Sequence, residues 1–248
     1  MKTITITETS ENITFTLDEN EIGTLEGWEY PSVRSVVEDI SGSKSSVYVT
    51  SKFGRRRFSI QALVRQGLDD RRTMLKAMRQ TGFLKLLKFK TLDDLELQAE
   101  VEILNLIYPY TKVQKPFLIE MVAPDWRFYS QTLVNTDSAD TEQTISNSGN
   151  EKTYPVFKIN GPFTSVSTAN LTTGEDFTLV ETILDGEYIE IDCFNRTVKD
   201  DDGNSVIGNF TGDFFGLVSG NNLLQFNPTG SGGNTSLETI YRHAYNGI

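Results

Sequence analysis

Residues 195–205, NRTVKDDDGNS, set three carboxylates and a glycine in succession, the residue types from which a calcium loop is built. Such a loop needs oxygen ligands at its first, third and fifth positions, glycine at the sixth and a bidentate Glu at the twelfth, because the cation takes about six to eight oxygens. Placing Gly203 sixth brings Asp200 and Asp202 into position but puts Val198 first and Asn209 twelfth. Two ligand positions fail. The flanks read instead as a hairpin: EYIEIDCFNRTV alternates, SVIGNF has the character of a returning strand, and Asp-Gly favours a tight turn.

Other chemistry is sparse. The chain holds no GxSxG elbow, no GxxxxGK[ST] loop and no GxGxxG opening a helix. The glycine-rich TGSGGN follows a proline and precedes the strand-like SLETIYR, which makes it a surface loop rather than a phosphate cradle. Glu187 and Glu190 could form a glycosidase pair, but a chain with 34 carboxylates yields such pairs by chance. The one cysteine, Cys193, reads as a small buried hydrophobe, and the one histidine, His243, has no companion of its kind, so zinc sites of the usual Cys/His composition are not expected. The sequence therefore points to a protein that is not an enzyme and carries no cofactor or metal. A glycan-binding patch is the chemistry that survives: Tyr188, Phe214, Phe215, Asn221 and Asn222 offer stacking rings and amides, although Phe214 and Phe215 beside GLV also suit a core.

The net charge of −11 is unevenly spread. Residues 126–248 hold 6 basic and 16 acidic side chains, whereas residues 44–90 hold 13 Lys/Arg against Asp69 and Asp70 alone. A block of one sign marks a solvated face or a partner surface of opposite sign. No RRM, zinc-finger or helix-turn-helix pattern accompanies the basic block, so sequence-specific nucleic-acid binding is not expected. No apolar run is long enough for a membrane helix, and MKTITITETSEN lacks the apolar core of a secretory signal.

ITITETSENITFTL reads as two alternating strands and SSVYVTSKFGRRRFSIQALVRQ as two more. Asp69 is placed to cap a helix over about residues 70–80, with Met74, Leu75 and Met78 as its apolar stripe and Gly82 as its stop. LKLLKFK and LELQAEVEI form a hairpin around residues 91–94. In its second arm Leu95, Leu97, Ala99, Val101 and Ile103 share one face, with Glu96, Gln98, Glu100 and Glu102 on the other. Lys85, Lys88 and Lys90 are expected opposite those glutamates. From residue 131 the composition turns to Ser, Thr, Asn, Asp and Gly, and beyond it short strands are cut by frequent turn signals. The expected class is mainly β: residues 1–130 a β-rich domain with one helix and a hairpin, residues 131–248 a β-sandwich or jelly roll burying alternate residues such as Phe177, Leu179 and Val180.

FGRRRFSIQALV with DDRRTMLKAM after it, MVAPDWRFYS, NSGNEKTYPVFKINGP, and LDGEYIEIDCFNRTVKDDDGNSV with FFGLVSGNNLLQF occur in this order. The pattern resembles the distal tail proteins of long-tailed bacteriophages over nearly the whole chain. The resemblance implies a belt domain that assembles as a six-membered ring, in single or back-to-back copies, and a galectin-like or carbohydrate-module-like outer sandwich. It further implies a place in the virion at the tail tip, between the tail tube and the tail-associated lysin or fibre, with receptor-binding protein or cell-wall glycan at the outer domain. Synthesis in the host cytoplasm without a signal peptide follows. Rings need two different surfaces to meet, and the candidate residues for ring or tail contacts are Arg55, Arg56, Arg57, Arg71, Arg72, Glu96, Glu100 and Glu102.

Overall fold

A computed structural model describes residues 1–9, 12–29, 33–39, 46–63, 68–78, 84–108 and 116–247. The chain divides into two compact units, one of Met1–Gln131 with Tyr245–Ile248, the other Thr132–Ala244. The chain passes from the first unit to the second between Gln131 and Thr132, and its residues from 245 onward belong to the first unit again.

In the first unit β1 (Thr3–Glu8), β2 (Ile13–Asp18) and β3 (Ile22–Glu26) precede a separate antiparallel pair, β4 (Val33–Asp39) and β5 (Ser46–Phe53). Then come β6 (Arg56–Ala62), α1 (Leu68–Ala77), β7 (Lys85–Lys90), β8 (Glu96–Ile107), β9 (Phe117–Ala123) and β10 (Phe128–Ser130). The main sheet runs β2-β1-β7-β8-β9-β6-β3, with β10 also paired to β8. Its strands are antiparallel, and their period of two gives each an inward and an outward face. Ile4, Ile6, Leu17, Leu87, Phe89, Leu97, Val101, Ile60 and Ile119 fill the core from the inward face. Met74, Ala77 and Met78 of α1 and its last turn join them at helical spacing, and α1 packs on β1 and β2. The helix begins earlier than the sequence suggests, with Asp69 inside it rather than capping it, and Leu75 is 49% exposed rather than part of the stripe. Gly82 lies outside the described residues.

The β7–β8 hairpin forms as expected, with Lys90 opposite Glu96. Lys85 does not belong to the charged face. It differs in parity from Lys88 and Lys90, so the pleat turns it inward beside Leu87 and Phe89, where it is 1% exposed. Its ammonium meets Glu8 of β1 at 2.9 Å, its register partner and likewise buried.

The second unit contains β11 (Val134–Ser138), β12 (Glu142–Asn147), β13 (Val156–Asn160), β14 (Ser165–Asn170), β15 (Glu175–Leu179), β16 (Tyr188–Asp192) and β17 (Thr197–Asp200). A short 3₁₀ turn (Ile207–Asn209), β18 (Phe210–Gly212), β19 (Gly220–Thr229) and β20 (Ser236–Tyr241) complete it. Two five-stranded antiparallel sheets, β11-β20-β13-β16-β17 and β12-β19-β14-β15-β18, share one core. Phe157, Ile159, Ile189 and Ile191 enter it from the first sheet, Val166, Phe177, Leu179, Leu224 and Phe226 from the second. Burying one such side chain contributes about 1.5–3 kcal/mol. Val180, next in sequence to inward Leu179, is 64% exposed rather than buried.

Residues 195–205 make two turns, not one hairpin tip. The β16–β17 hairpin turns at residues 193–196, with Arg196 at φ 56°. The acidic run then turns again after β17: the Asp200 carboxylate accepts from the Asn204 backbone N–H at 2.7 Å and from Asn204 Nδ2 at 3.1 Å. These bonds from Asn204 hold the Asp200 carboxyl below its ordinary range. Gly203 supplies the left-handed step at φ 84°. The expected returning strand is reduced to a single bridge, Lys199 to Ser205.

Replacing Lys85 by Met or Glu8 by Leu alone should cost about 3–5 kcal/mol, because each takes the ion-pair partner from a buried charge. The double replacement should recover most of that loss in urea denaturation, since an apolar pair fits the same interior; a double variant as weak as the singles would contradict the assignment.

Candidate assembly interface

The outward face of the first sheet is striped by strand. Thr14 and Thr16 of β2 stand beside Thr7 and Thr5 of β1, with hydroxyl pairs at 3.1 and 3.2 Å. The next strand, β7, carries Lys88 and Lys90, and the one after it carries Glu96, Glu100 and Glu102. Lys90 is engaged locally, with Asp94 at 3.2 Å and Glu96 at 3.3 Å. Two of the expected acidic residues are freer: among the described residues Glu100 and Glu102 are exposed and make no side-chain hydrogen bond or ion pair.

The three arginines preceding Phe58 have three different situations. Arg55 is exposed ahead of β6. Arg57 is exposed on its outward face, and neither side chain has a partner among the described residues. Arg57 lines an open cleft of about 380 Å³ with Glu26, Ser59, Leu104 and Glu120. Glu120 is held there by Asn105 at 3.2 Å. Arg72 is exposed on α1, whereas the Arg71 side chain lies outside the described residues.

Arg56 does not belong to this surface. In β6 it shares parity with Phe58, Ile60 and Ala62, so the pleat buries it to 1% exposure. Its Nη1 donates to the Trp28 carbonyl at 3.0 Å, its other terminal nitrogen donates to the Asn246 carbonyl, and its guanidinium carbon lies 4.2 Å from the Phe128 ring centroid. Burial pushes its pKa down to about 10, against the pull of Asp125, so it remains charged at neutral pH. Trp28, Phe58, Phe89 and Phe128 pack around one another with centroids 4.8–6.3 Å apart. Sequence spacing held the clue, an Arg at an inward position of an otherwise apolar strand face.

The MVAPDWRFYS segment is structural in the same sense. Arg127 grips Asp125 through two bonds of 3.0 Å, and the Tyr129 hydroxyl donates to the same carboxylate. Trp126 packs on Phe53 of β5 at 4.2 Å.

In the second unit the glycan patch expected from the sequence does not assemble. Phe215 and Asn222 are fully buried. Tyr188 lies in one sheet with the Lys158 ammonium 4.0 Å from its ring centroid, while Phe214 follows a strand of the other sheet and stacks on Phe210 at 4.4 Å. Asn221 is exposed on β19. Asn222 instead pins residues 218–222: its Oδ1 accepts from Val218 N–H at 2.9 Å, and its Nδ2 donates to the Val218 and Gly220 carbonyls. Buried Asn170 donates to Asn222 Oδ1 at 3.2 Å and to the Gly216 carbonyl at 3.3 Å. NSGN works alike: Asn147 donates to the Glu151 and Leu217 carbonyls and accepts from Gly149 N–H. A side chain at Gly149 would strike the Ala244 carbonyl at 1.9 Å. His243 takes part here, its Nδ1 accepting from Ser148 N–H at 3.1 Å, and burial lowers its pKa. Cys193 is buried, and burial pushes its thiol pKa up. The sequence reading missed Asn147 and Asn170 and gave Asn222 to a surface patch, because an Asn at a strand end looks the same whether it faces water or a neighbouring backbone.

No curated protein matches the chain in sequence. Residues 148–245 match the family described as the siphovirus-type tail component, C-terminal domain. The fold is similar to that of phage SPP1 Dit (gp 19.1), described as a paradigm of the hub adsorption apparatus in phages infecting Gram-positive hosts. Its TM-score is 0.70 at 13% identity, with 97% of this chain and 98% of that chain covered. A chain of the phage p2 baseplate in its activated conformation with Sr superimposes with a TM-score of 0.54 at 10% identity, covering 100% of this chain and 99% of that one. The fold is Dit-like, in keeping with the resemblance carried by the motifs.

Arg56→Met should destabilise the protein by about 2–4 kcal/mol, because the buried Trp28 carbonyl and the half-buried Asn246 carbonyl each lose a charged donor. Arg57→Met, on the outward face of the same strand, should stay within about 0.5 kcal/mol. Equal losses in chemical denaturation would refute the division of roles between the two.

Proposed function

We propose that this protein is a structural hub of a phage tail tip, a six-membered ring, single or back-to-back, that joins the tail tube to the tail-associated lysin or fibre and to receptor-binding protein. Its role is mechanical and not catalytic, and its place is the virion. The family match of the second unit and the Dit-like fold support a tail component.

The observation that carries the ring reading is the sorting of charge on the first unit. Exposed Glu100 and Glu102 stand on β8, exposed Arg55 and Arg57 at the start of β6, and none is neutralised among the described residues. β9 lies between their strands. A cyclic ring repeats one contact between two unlike patches, and opposite unpaired charges on one subunit supply such patches. Charge complementarity of this kind sets register and partner choice. Arg56 is excluded from the interface because its charge is spent inside the unit.

Light scattering of the purified protein, with negative-stain microscopy of the same fraction, should give a mass near six subunits and six-fold rings. Arg55→Glu with Arg57→Glu should lower that mass toward one subunit while leaving the thermal midpoint unchanged. Adding Glu100→Lys and Glu102→Lys should restore part of the assembly. A properly folded charge-reversed protein that still forms full rings would remove this interface from consideration.

A further inference from the structure

The one histidine of the chain sits where the second unit ends. His243 follows β20 and precedes Ala244, the last residue of that unit, and its Nδ1 accepts the Ser148 N–H at 3.1 Å. Only a neutral imidazole can do this, because both ring nitrogens of the charged form are donors. The Tyr241 ring stands edge-on to the imidazole, with centroids 5.6 Å apart and planes at 77°.

This bond belongs to a clasp between residues 146–151 and 241–244. Tyr241 donates its hydroxyl to the Ser146 carbonyl at 2.8 Å, and the Glu151 N–H donates to the Ala244 carbonyl at 3.1 Å. Between these two bonds Gly149 lies so close to the Ala244 backbone that no Cβ fits. The loop is also tied to residues 217–219: Ser219 donates to the Gly149 carbonyl at 2.6 Å and Asn147 to the Leu217 carbonyl at 3.2 Å. Of the acceptors in this set, only the imidazole is of a type that changes charge between about pH 5 and 8. Asn147 and Gly149 are buried, whereas Ser148 between them is exposed. A Ser148 N–H that loses its acceptor can therefore turn to water, which lets the loop lift instead of stranding a buried donor.

We propose that His243 is an acid-sensitive latch: neutral, it holds residues 147–151 over the end of β20, and on gaining a proton at Nδ1 it turns a donor toward the Ser148 N–H and releases them. Burial lowers the pKa of the folded imidazole below its ordinary value, so the unfolded chain takes the proton first. The contribution of the latch is accordingly complete above about pH 6.5 and is lost as pH falls through the folded value. The ionisable groups on the segments that meet here are Tyr241, Arg242 and Tyr245 from the end of the chain and Glu151 and Lys152 from the loop; residues 217–219 contribute none. The latch lies within the second unit, and its failure would leave the hub reading untouched.

The test follows hydrogen exchange of residues 147–151 in the full chain at about pH 7.5 and pH 5.5, beside an NMR titration whose imidazole signal is unambiguous because the chain has one histidine. Two variants bracket the parent. His243→Asn places a carbonyl oxygen where Nδ1 stood, keeps every other ionisable group and cannot gain the proton; His243→Phe keeps a ring beside Tyr241 and offers no acceptor at any pH. The imidazole should titrate below its ordinary value. Protection of residues 147–151, taken relative to His243→Asn at the same pH, should fall about fivefold on acidification, the worth of one hydrogen bond. His243→Phe should show the acid level of protection already at pH 7.5. A histidine that titrates at or above the ordinary value overturns the proposal, as does a His243→Asn protein with the parent's pH dependence. Full protection of the loop in His243→Phe at pH 7.5 would overturn it too, since the Ser148 bond would then hold nothing.

Discussion

A single buried guanidinium holds together parts of the first unit that are remote in sequence. Arg56 holds a charge in the interior against the Trp28 carbonyl, the Phe128 ring and the Asn246 carbonyl, while its Nε makes no hydrogen bond among the described residues. An unpaired buried charge would cost several kcal/mol, so these segments are constrained to come together. The aromatic cluster of Trp28, Phe58, Phe89 and Phe128 closes around the same group. Gly247 follows at a point where any Cβ would meet the Glu29 carbonyl at 1.8 Å. The return of the chain to this unit is therefore tightly specified.

The same alternation that sends Arg56 inward frees its neighbour Arg57 for the surface. Lys85 and Lys88 are divided by parity in the same way, one to pair with Glu8 in the core and the other to face outward. The basic block of residues 44–90 is thus two populations. One part stabilises the interior and the other supplies the field at the surface. Counting charge along the sequence merges them, whereas the pleat separates them residue by residue.

Where alternation was unbroken the sequence was readable. The β8 run from Leu95 to Ile103, the β1–β2 pair and the β7–β8 hairpin followed from period two alone. The reading failed where tertiary surroundings decided. Leu75 faces solvent because the helix buries its Met74 and Met78 side, and SVIGNF stays irregular because the Asp200–Asn204 turn leaves only one bridging residue in register. The grouping of Phe214, Phe215, Asn221 and Asn222 with Tyr188 assumed that neighbours in sequence share a surface. In a two-sheet unit adjacent residues point apart, and Asn222 was claimed by its own loop.

Residue 131 closes one stretch of the first unit and residue 245 opens the next, which gives the chain a built-in order in time. A ribosome adding about 5–20 residues per second needs roughly ten seconds to pass from the one to the other. Throughout that interval Arg56 and its aromatic neighbours have already been made, while the carbonyl of Asn246 does not yet exist. The second unit, contiguous from Thr132 to Ala244, is complete before the first can be. The earlier-made half of the molecule is thus the later to finish, and its closure reports that everything between has been synthesised.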